Sequence, residues 1–306
     1  DWKVRWDDNP DEETRLSRWA AESAKRTLAA TIAVGTVDQA MLGALQVKHA
    51  HLRAAALSRS FLVIDEVHAS DRFMTEVQAH LLDMHLRRGG HAMLMSATLG
   101  SVARVRWLGL RNEPDFEQAA AAPYPAVWGR KDAGPQGVGA SQREKSVAMQ
   151  SAPTMAAGEA ARLAIAAAKR GARVLVIRNT VTAAVATWTA VCEAGEDGLL
   201  LQVGGGPALH HSRFAPEDRA LLDRAAERAL SPDPAQRPAS GVIVIGTQTL
   251  EQSLDIDADL LISDLCPVDV LLQRIGRLHR HDLPRPDVFA TASCIVLSPD
   301  KGLEPL

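Results

Sequence analysis

What most constrains this chain is a recurring pattern of short apolar run, helical stretch, short apolar run. Phe61-Leu62-Val63-Ile64 and Ala92-Met93-Leu94-Met95 flank residues 72–88, where Phe73, Val77, Leu81, Leu82 and Leu86 fall at helical spacing. A strand covered on both faces reads as an unbroken apolar run, and a helix between two such strands makes a right-handed parallel crossover. Gly89-Gly90 ends the helix. The second half repeats the pattern, with helices over 156–170, 180–194, 216–230 and 268–276. Its strands are expected over 174–177, 199–203, 242–245, 260–262 and 294–297. An α/β fold built on parallel sheets follows. Two further helices are expected over 12–30 and 37–57, neither interrupted by proline.

A length of 306 residues suits two domains at roughly 150 residues each. Proline and glycine crowd into 119–153, so the expected division is a first lobe over 1–135, a linker over 136–155 and a second lobe over 156–306, with an edge strand over part of 119–153 as the alternative. The net charge of −3 excludes a strongly basic nucleic-acid sponge but leaves room for a local basic groove. Only 7 of the 34 basic residues are lysine; arginine suits bidentate phosphate contact, although genomic base composition produces the same bias. Cys192, Cys266 and Cys294 form no CxxC pair, which suggests a reducing, cytoplasmic setting. No apolar run reaches the ~18 residues of a membrane span, so no membrane partner is expected.

Chemistry-bearing residues sit where strands end. Asp65-Glu66-Val67-His68 follows the first clear strand, at the edge where open α/β sheets place ligands. Adjacent acids there suit a Mg²⁺-nucleotide site, one holding the metal and the other activating water; a polar turn capping the next helix is the plainer alternative. Ser96-Ala97-Thr98 follows the next strand and could bond a neighbouring carboxylate or cap a helix. Residues 246–257, GTQTLEQSLDID, form a polar segment after another strand. Gln273-Arg274-Ile275-Gly276-Arg277-Leu278-His279-Arg280-His281 places Arg277 and Arg280 three apart, a pair able to stabilise charge on a γ-phosphate. A solvated basic helix end is the alternative.

In this order, DEVH, SAT, GTQTLEQSLDID and QRIGRLHRH resemble motifs II, III, V and VI of superfamily 2 helicases. The longer strings Val34-Gly35-Thr36-Val37-Asp38-Gln39, DEVHASD, Arg178-Asn179-Thr180 and His211-Ser212-Arg213-Phe214 resemble the CRISPR-associated helicase–nucleases recruited by type I Cascade complexes. The likeness covers roughly residues 30–300 and implies two RecA-like lobes that use ATP and Mg²⁺ to track along single-stranded DNA. It implies Mg²⁺ at Asp65 and a hydrolytic base at Glu66. His68, Ser96 and Thr98 would couple hydrolysis to movement. Gln273, Gly276, Arg277 and Arg280 would lie toward the γ-phosphate, and Asp255 toward the nucleotide. Thr36, Asn179, Thr180, Thr247, His211 and Arg213 would lie along the DNA path.

Two parts of that pattern are missing from the sequence. No G-x-x-x-x-G-K-[ST] phosphate loop occurs, and the chain opens on Asp1 rather than Met, so truncation ahead of Thr36 is expected and with it weak ATP binding by this chain alone. No His/Asp set for a nuclease occurs either; His281-Asp282 sits at the end of the arginine motif. His49, His51, His210 and His211 read as surface or DNA-side residues. Trp2, Trp6 and Trp19 read as packing residues or base-stacking ones. A different superfamily 2 enzyme and a catalytically dead RecA-like module stay open as alternatives.

Overall fold

The computed structural model describes residues 27–67, 72–130, 134–139, 145–238, 240–251 and 254–300. The helix expected over 12–30 and Trp2, Trp6 and Trp19 lie mostly or wholly outside the described residues. The chain divides into two compact units, residues 1–140 and 141–306.

In the first unit, α1 (Val37–Met41) and α2 (Ala50–Leu57) lead into β1 (Phe61–Ile64), α3 (Arg72–Arg87) and β2 (His91–Leu94). β1 and β2 pair in parallel with Phe61 opposite His91, so α3 is the crossover. The single helix expected over 37–57 is broken, because residues 42–49 turn and His49 enters α2 at φ 67. Leu57, Leu62, Ile64, Val67, Leu81 and Leu82 form one core cluster. Contrary to the expectation of a strand buried on both faces, β1 is covered on one: Phe61 is 61% exposed and Val63 47%. The helices of the cluster pack on the Leu62–Ile64 side, leaving the alternate residues outward. α4 (Ser101–Leu108), α5 (Phe116–Ala120) and the short pair β3 (Ala126–Val127) and β4 (Gln136–Gly137) follow.

In the second unit the order is β5 (Val147–Ala152), α6 (Ala157–Ala168), β6 (Arg173–Ile177), α7 (Val181–Glu193), β7 (Gln202–Val203), β8 (Gly206–Pro207), α8 (Pro216–Ala229), β9 (Val242–Gly246), β10 (Leu260–Asp264), α9 (Val268–Ile275) and β11 (Ala292–Leu297). Five strands make a parallel sheet in the order β5-β11-β10-β6-β9. β6, β10 and the edge strand β9 are buried on both faces, as their apolar runs require, with Leu201 and His210 bonded along the outer side of β9. Val174 and Val176 pack with Ala160, Ala164, Ala184 and Val191 of α6 and α7. Leu175 and Ile177 pack with Leu222, Ala225 and Ala226 of α8. The strand expected over 199–203 shortens to β7, with Leu200 bridging Ile243. The stretch expected as linker, 136–155, carries β5. That strand is an edge with mostly exposed residues, so its sequence VAMQSA lacks the apolar run of an interior strand.

Ion pairs mark both ends of the β6–β10 pair. Arg173 lies 3.5 Å from Asp259 at the start, and Arg178 lies 2.8 Å from Asp264 at the finish. A one-residue slip would separate both, so charge as well as the apolar pattern fixes the register. Among the described residues no helix is long and apolar enough to cross a membrane.

Candidate functional site

The carboxyl end of β1 presents two acids. Asp65 and Glu66 are exposed, and the Glu66 N–H donates to Asp65 Oδ1 at 2.8 Å. Glu66 sits at φ 53, a left-handed conformation that costs a non-glycine residue roughly 1–2 kcal/mol. The turn is held on both sides: Met95 N–H donates to the Ile64 carbonyl at 2.9 Å and Val67 N–H to the Met95 carbonyl at 3.2 Å. Just beyond, Ser96 Oγ accepts the Thr98 N–H at 3.3 Å. The Thr98 hydroxyl is buried without a hydrogen-bond partner among the described residues. His68 lies outside them.

Among the described residues no group of three or more His, Cys, Asp or Glu side chains could hold a metal alone. The exposed Asp65–Glu66 pair nonetheless fits Mg²⁺, which keeps several waters and takes one or two carboxylates together with phosphate oxygens.

In the second unit the ends of β6, β9 and β10 meet at a buried ionic web that the sequence did not reveal. Arg178 donates through Nε to Asp264 Oδ1 at 2.8 Å, through Nη2 to the Met155 carbonyl at 2.8 Å, and to the Thr187 hydroxyl. The other Asp264 oxygen accepts the Asn179 N–H at 2.8 Å. Arg274, inside the arginine motif, donates to Glu251 Oε1 at 2.7 Å, Ser263 Oγ at 2.8 Å and Asn179 Oδ1 at 3.0 Å. Arg178 and Arg274 are each 1% exposed, so each needs its acid. Asp264→Ala leaves Arg178 buried without its counter-charge and should cost about 3–5 kcal/mol. Chemical denaturation of the purified protein measures this; a loss under about 1 kcal/mol would show the web to be dispensable.

The sequence-expected residues of this unit divide by engagement. Arg277 is spent within the unit: Nη1 donates to the Leu254 carbonyl and Nη2 to the Glu251 carbonyl, both at 2.6 Å. Arg280 is 43% exposed, its Nε 3.2 Å from Asp255 Oδ1. His281 Nε2 lies 3.1 Å from the same oxygen. Asp255 is itself 55% exposed and borders an open depression beside Arg224 and Arg228. Gln273 is half-buried on the last turn of α9, and Gly276 caps that turn with 3.0 Å between an added Cβ and the Gln273 carbonyl.

Residues expected beside DNA separate in the same way. Thr36 is exposed at the start of α1, its hydroxyl making no cap bond. Thr180 is exposed and caps α7 by accepting the Ala183 N–H at 3.1 Å. Arg213 is exposed. Asn179 instead has both ends of its amide engaged, Nδ2 donating to the Leu265 carbonyl at 2.8 Å and Oδ1 accepting from Arg274. Thr247 is 2% exposed because the 208–210 stretch lies alongside the end of β9, with the Thr247 N–H donating to the His210 carbonyl at 3.2 Å. His211 is buried and stacked on Phe214 at 4.4 Å, and its burial, reinforced by Arg213, lowers its pKa. His210, expected at the surface, is fully buried between Thr249 Oγ1 at 2.8 Å and Asp223 Oδ1 at 2.7 Å. Burial lowers its pKa against the pull of Asp223. The three cysteines are free, and burial pushes the Cys294 thiol up to about 12.

A family model described as CRISPR-associated nuclease/helicase Cas3, C-terminal, matches residues 170–283. The CRISPR-associated endonuclease/helicase Cas3 of Escherichia coli (strain K12) is 33% identical over 303 residues, covering 92% of this chain and 32% of that protein. Among solved structures, T. fusca Cas3 with ATP superposes with a TM-score of 0.74 at 28% identity, covering 91% of this chain and 34% of that one. A chain of a pre-nicking CRISPR RNA-guided surveillance complex gives 0.71 at 28% identity, covering 94% and 37%. The chain thus spans about a third of the length of the curated relatives it matches.

Proposed function

Because the chain belongs to the Cas3 family of CRISPR-associated nuclease/helicases, with the RecA-like α/β architecture of those relatives, we propose that it carries the ATP-driven, single-stranded-DNA-translocating helicase core of a type I CRISPR interference protein. The observation that supports this best is the exposed Asp65–Glu66 pair, held out from the end of a parallel strand by bonded backbone on either side.

In the first unit Asp65 would hold Mg²⁺, and that ion, when bound, neutralises charge on the triphosphate. Glu66 takes the proton of the water attacking the γ-phosphorus as ADP leaves. Ser96 and Thr98, on the turn next to the acids, relay that change to the rest of the unit. In the second unit Arg280 gives up its solvent-facing pairing with Asp255 and supplies positive charge to the γ-phosphate. Asp255 then serves the nucleotide's hydroxyl edge. Arg277 holds the Glu251 and Leu254 carbonyls, and Gln273 and Gly276 shape the turn that carries both arginines. Thr36, Thr180 and Arg213 contact the phosphate backbone of the strand, while Asn179, Thr247 and His211 support those positions from within.

The family's structure in a surveillance complex supports a Cascade-type partner. The T. fusca structure with ATP supports ATP as the nucleotide. Three free cysteines fit a cytoplasmic setting.

The deciding experiment is ATP hydrolysis by the full-length protein with and without single-stranded DNA; absence of DNA stimulation refutes the reading. Arg213→Ala should weaken single-stranded DNA binding for all sequences alike and lower the salt slope of the affinity by about 1. An unchanged salt slope, measured by fluorescence anisotropy, would remove Arg213 from the contact set.

A further inference from the structure

The backbone leading into β5 delivers a single lysine onto the turn that carries both motif arginines. Lys145 Nζ donates to the Ile275 carbonyl at 2.7 Å and to the Leu278 carbonyl. Ile275 is the last residue of α9, where helix carbonyls lack intrahelical partners and attract cations. Leu278 lies between Arg277 and Arg280, is fully buried, and bridges Ala258. Lys145 is therefore bonded to both sides of Gly276-Arg277.

Its own mooring is firm. Two residues later β5 begins, pinned to β11 with Val147 opposite Ala292. The surroundings are charged: Asp257 attracts the ammonium, while Arg285, Arg280 and His279 oppose it. Asp257 is already committed to Arg285, at 2.7 and 3.0 Å, and to the His281 N–H at 2.8 Å. Lys145 thus has carbonyls, not a carboxylate, as its hydrogen-bond partners among the described residues. Burial holds its pKa below the ordinary lysine value. A lysine tied to backbone carbonyls 130 and 133 residues away in sequence, rather than to a carboxylate, is an unusual way to cap a helix unless the pose of that turn matters.

We propose that Lys145 is a positioning residue for the arginine turn: it clamps the Ile275 and Leu278 carbonyls so that Arg277 and Arg280 are presented in one pose. Resting on the function proposed above, this clamp sets the rate of ATP hydrolysis rather than affinity for ATP or DNA.

The test uses Lys145→Met, which keeps the apolar stem and removes the donors, and Lys145→Arg, which restores charge and donors. In the full-length protein Lys145→Met should lower kcat about tenfold, with KM for ATP and single-stranded DNA affinity within about twofold of wild type. Lys145→Arg should recover at least about half of the lost rate. Amide hydrogen exchange supplies a readout that needs no turnover. The Arg277, Leu278 and His279 N–H groups are bonded to the Arg274, Ile275 and Ala258 carbonyls. Their exchange should quicken at least about fivefold in Lys145→Met and return in Lys145→Arg.

A kcat within about twofold of wild type, or unchanged exchange at 277–279, overturns the proposal. A wild-type protein without DNA-stimulated hydrolysis would refute the proposed function, while the exchange result would still decide whether Lys145 positions the turn. Should Lys145→Met fold poorly, Lys145→Gln keeps a neutral donor for one carbonyl and should fall between Met and Arg in both readouts.

Discussion

Arg280→Ala should cut DNA-stimulated ATP turnover of the full-length protein by about 10³-fold or more, the effect of removing an arginine that stabilises a transferring phosphoryl group. Single-stranded DNA affinity should stay within about threefold, because the residue is assigned to the nucleotide and not to the strand. The structure distinguishes the two motif arginines. Both terminal nitrogens of Arg277 are committed to backbone carbonyls, whereas Arg280 faces solvent against one half-exposed carboxylate. A surface pair of that kind contributes only about 0–1 kcal/mol, so exchanging Asp255 for a phosphate oxygen costs little. Arg277→Ala should look different, freeing the Glu251 and Leu254 carbonyls and lowering thermal stability along with turnover. An Arg280→Ala variant that hydrolyses ATP normally but binds DNA poorly would overturn the assignment.

Glu66→Gln should remove about 10²–10⁴-fold of the same turnover while nucleotide still binds. The substitution keeps side-chain length and leaves the Glu66 N–H bond to Asp65 in place. What disappears is the ability to accept a proton. Equilibrium binding of a fluorescent ATP analogue and phosphate release, measured on one preparation, separate the two effects. Phosphate release within about tenfold of wild type would exclude Glu66 as the base. Its positive φ adds support from a second direction: a strained non-glycine residue persists where the surroundings over-determine it, as at sites that must aim a side chain.

The second unit's sheet is readable because parallel strands covered on both faces leave an unmistakable trace. Val174 to Ile177 and Val242 to Ile245 are apolar without interruption since both faces are covered. The same logic misled at Phe61 to Ile64, where an equally apolar run has one bare face. β5, an edge strand with outward residues, needs no such run, so its stretch reads as a linker in which an edge strand is only the alternative. The strand-end acids and the arginine motif were visible as dense local strings. The web around them was not, because its partners are local only in space: Arg178 meets Asp264 across 86 residues, and Arg274 meets Glu251 across 23. A buried arginine and an exposed one look identical in a sequence, which is why Arg274 passed as motif filler while Asn179 and Thr247 were assigned to DNA.

The charged ends of the β6–β10 pair also bear on how the polypeptide is made. β6 emerges from the ribosome with one flank destined for β9 and the other for β10, whose Asp264 follows Arg178 by 86 residues. At roughly 5–20 residues per second, β6 waits several seconds for that partner. β5 waits longer still, since its neighbour β11 pairs Val147 with Ala292, about 145 residues further on. Assembly should therefore begin with β6 beside β9 and proceed outward to β10, with β11 closing the gap to β5. The arginines at either end of β6 should discourage mispairing of its open flank during the wait and favour the strand that arrives with Asp259 and Asp264 in step.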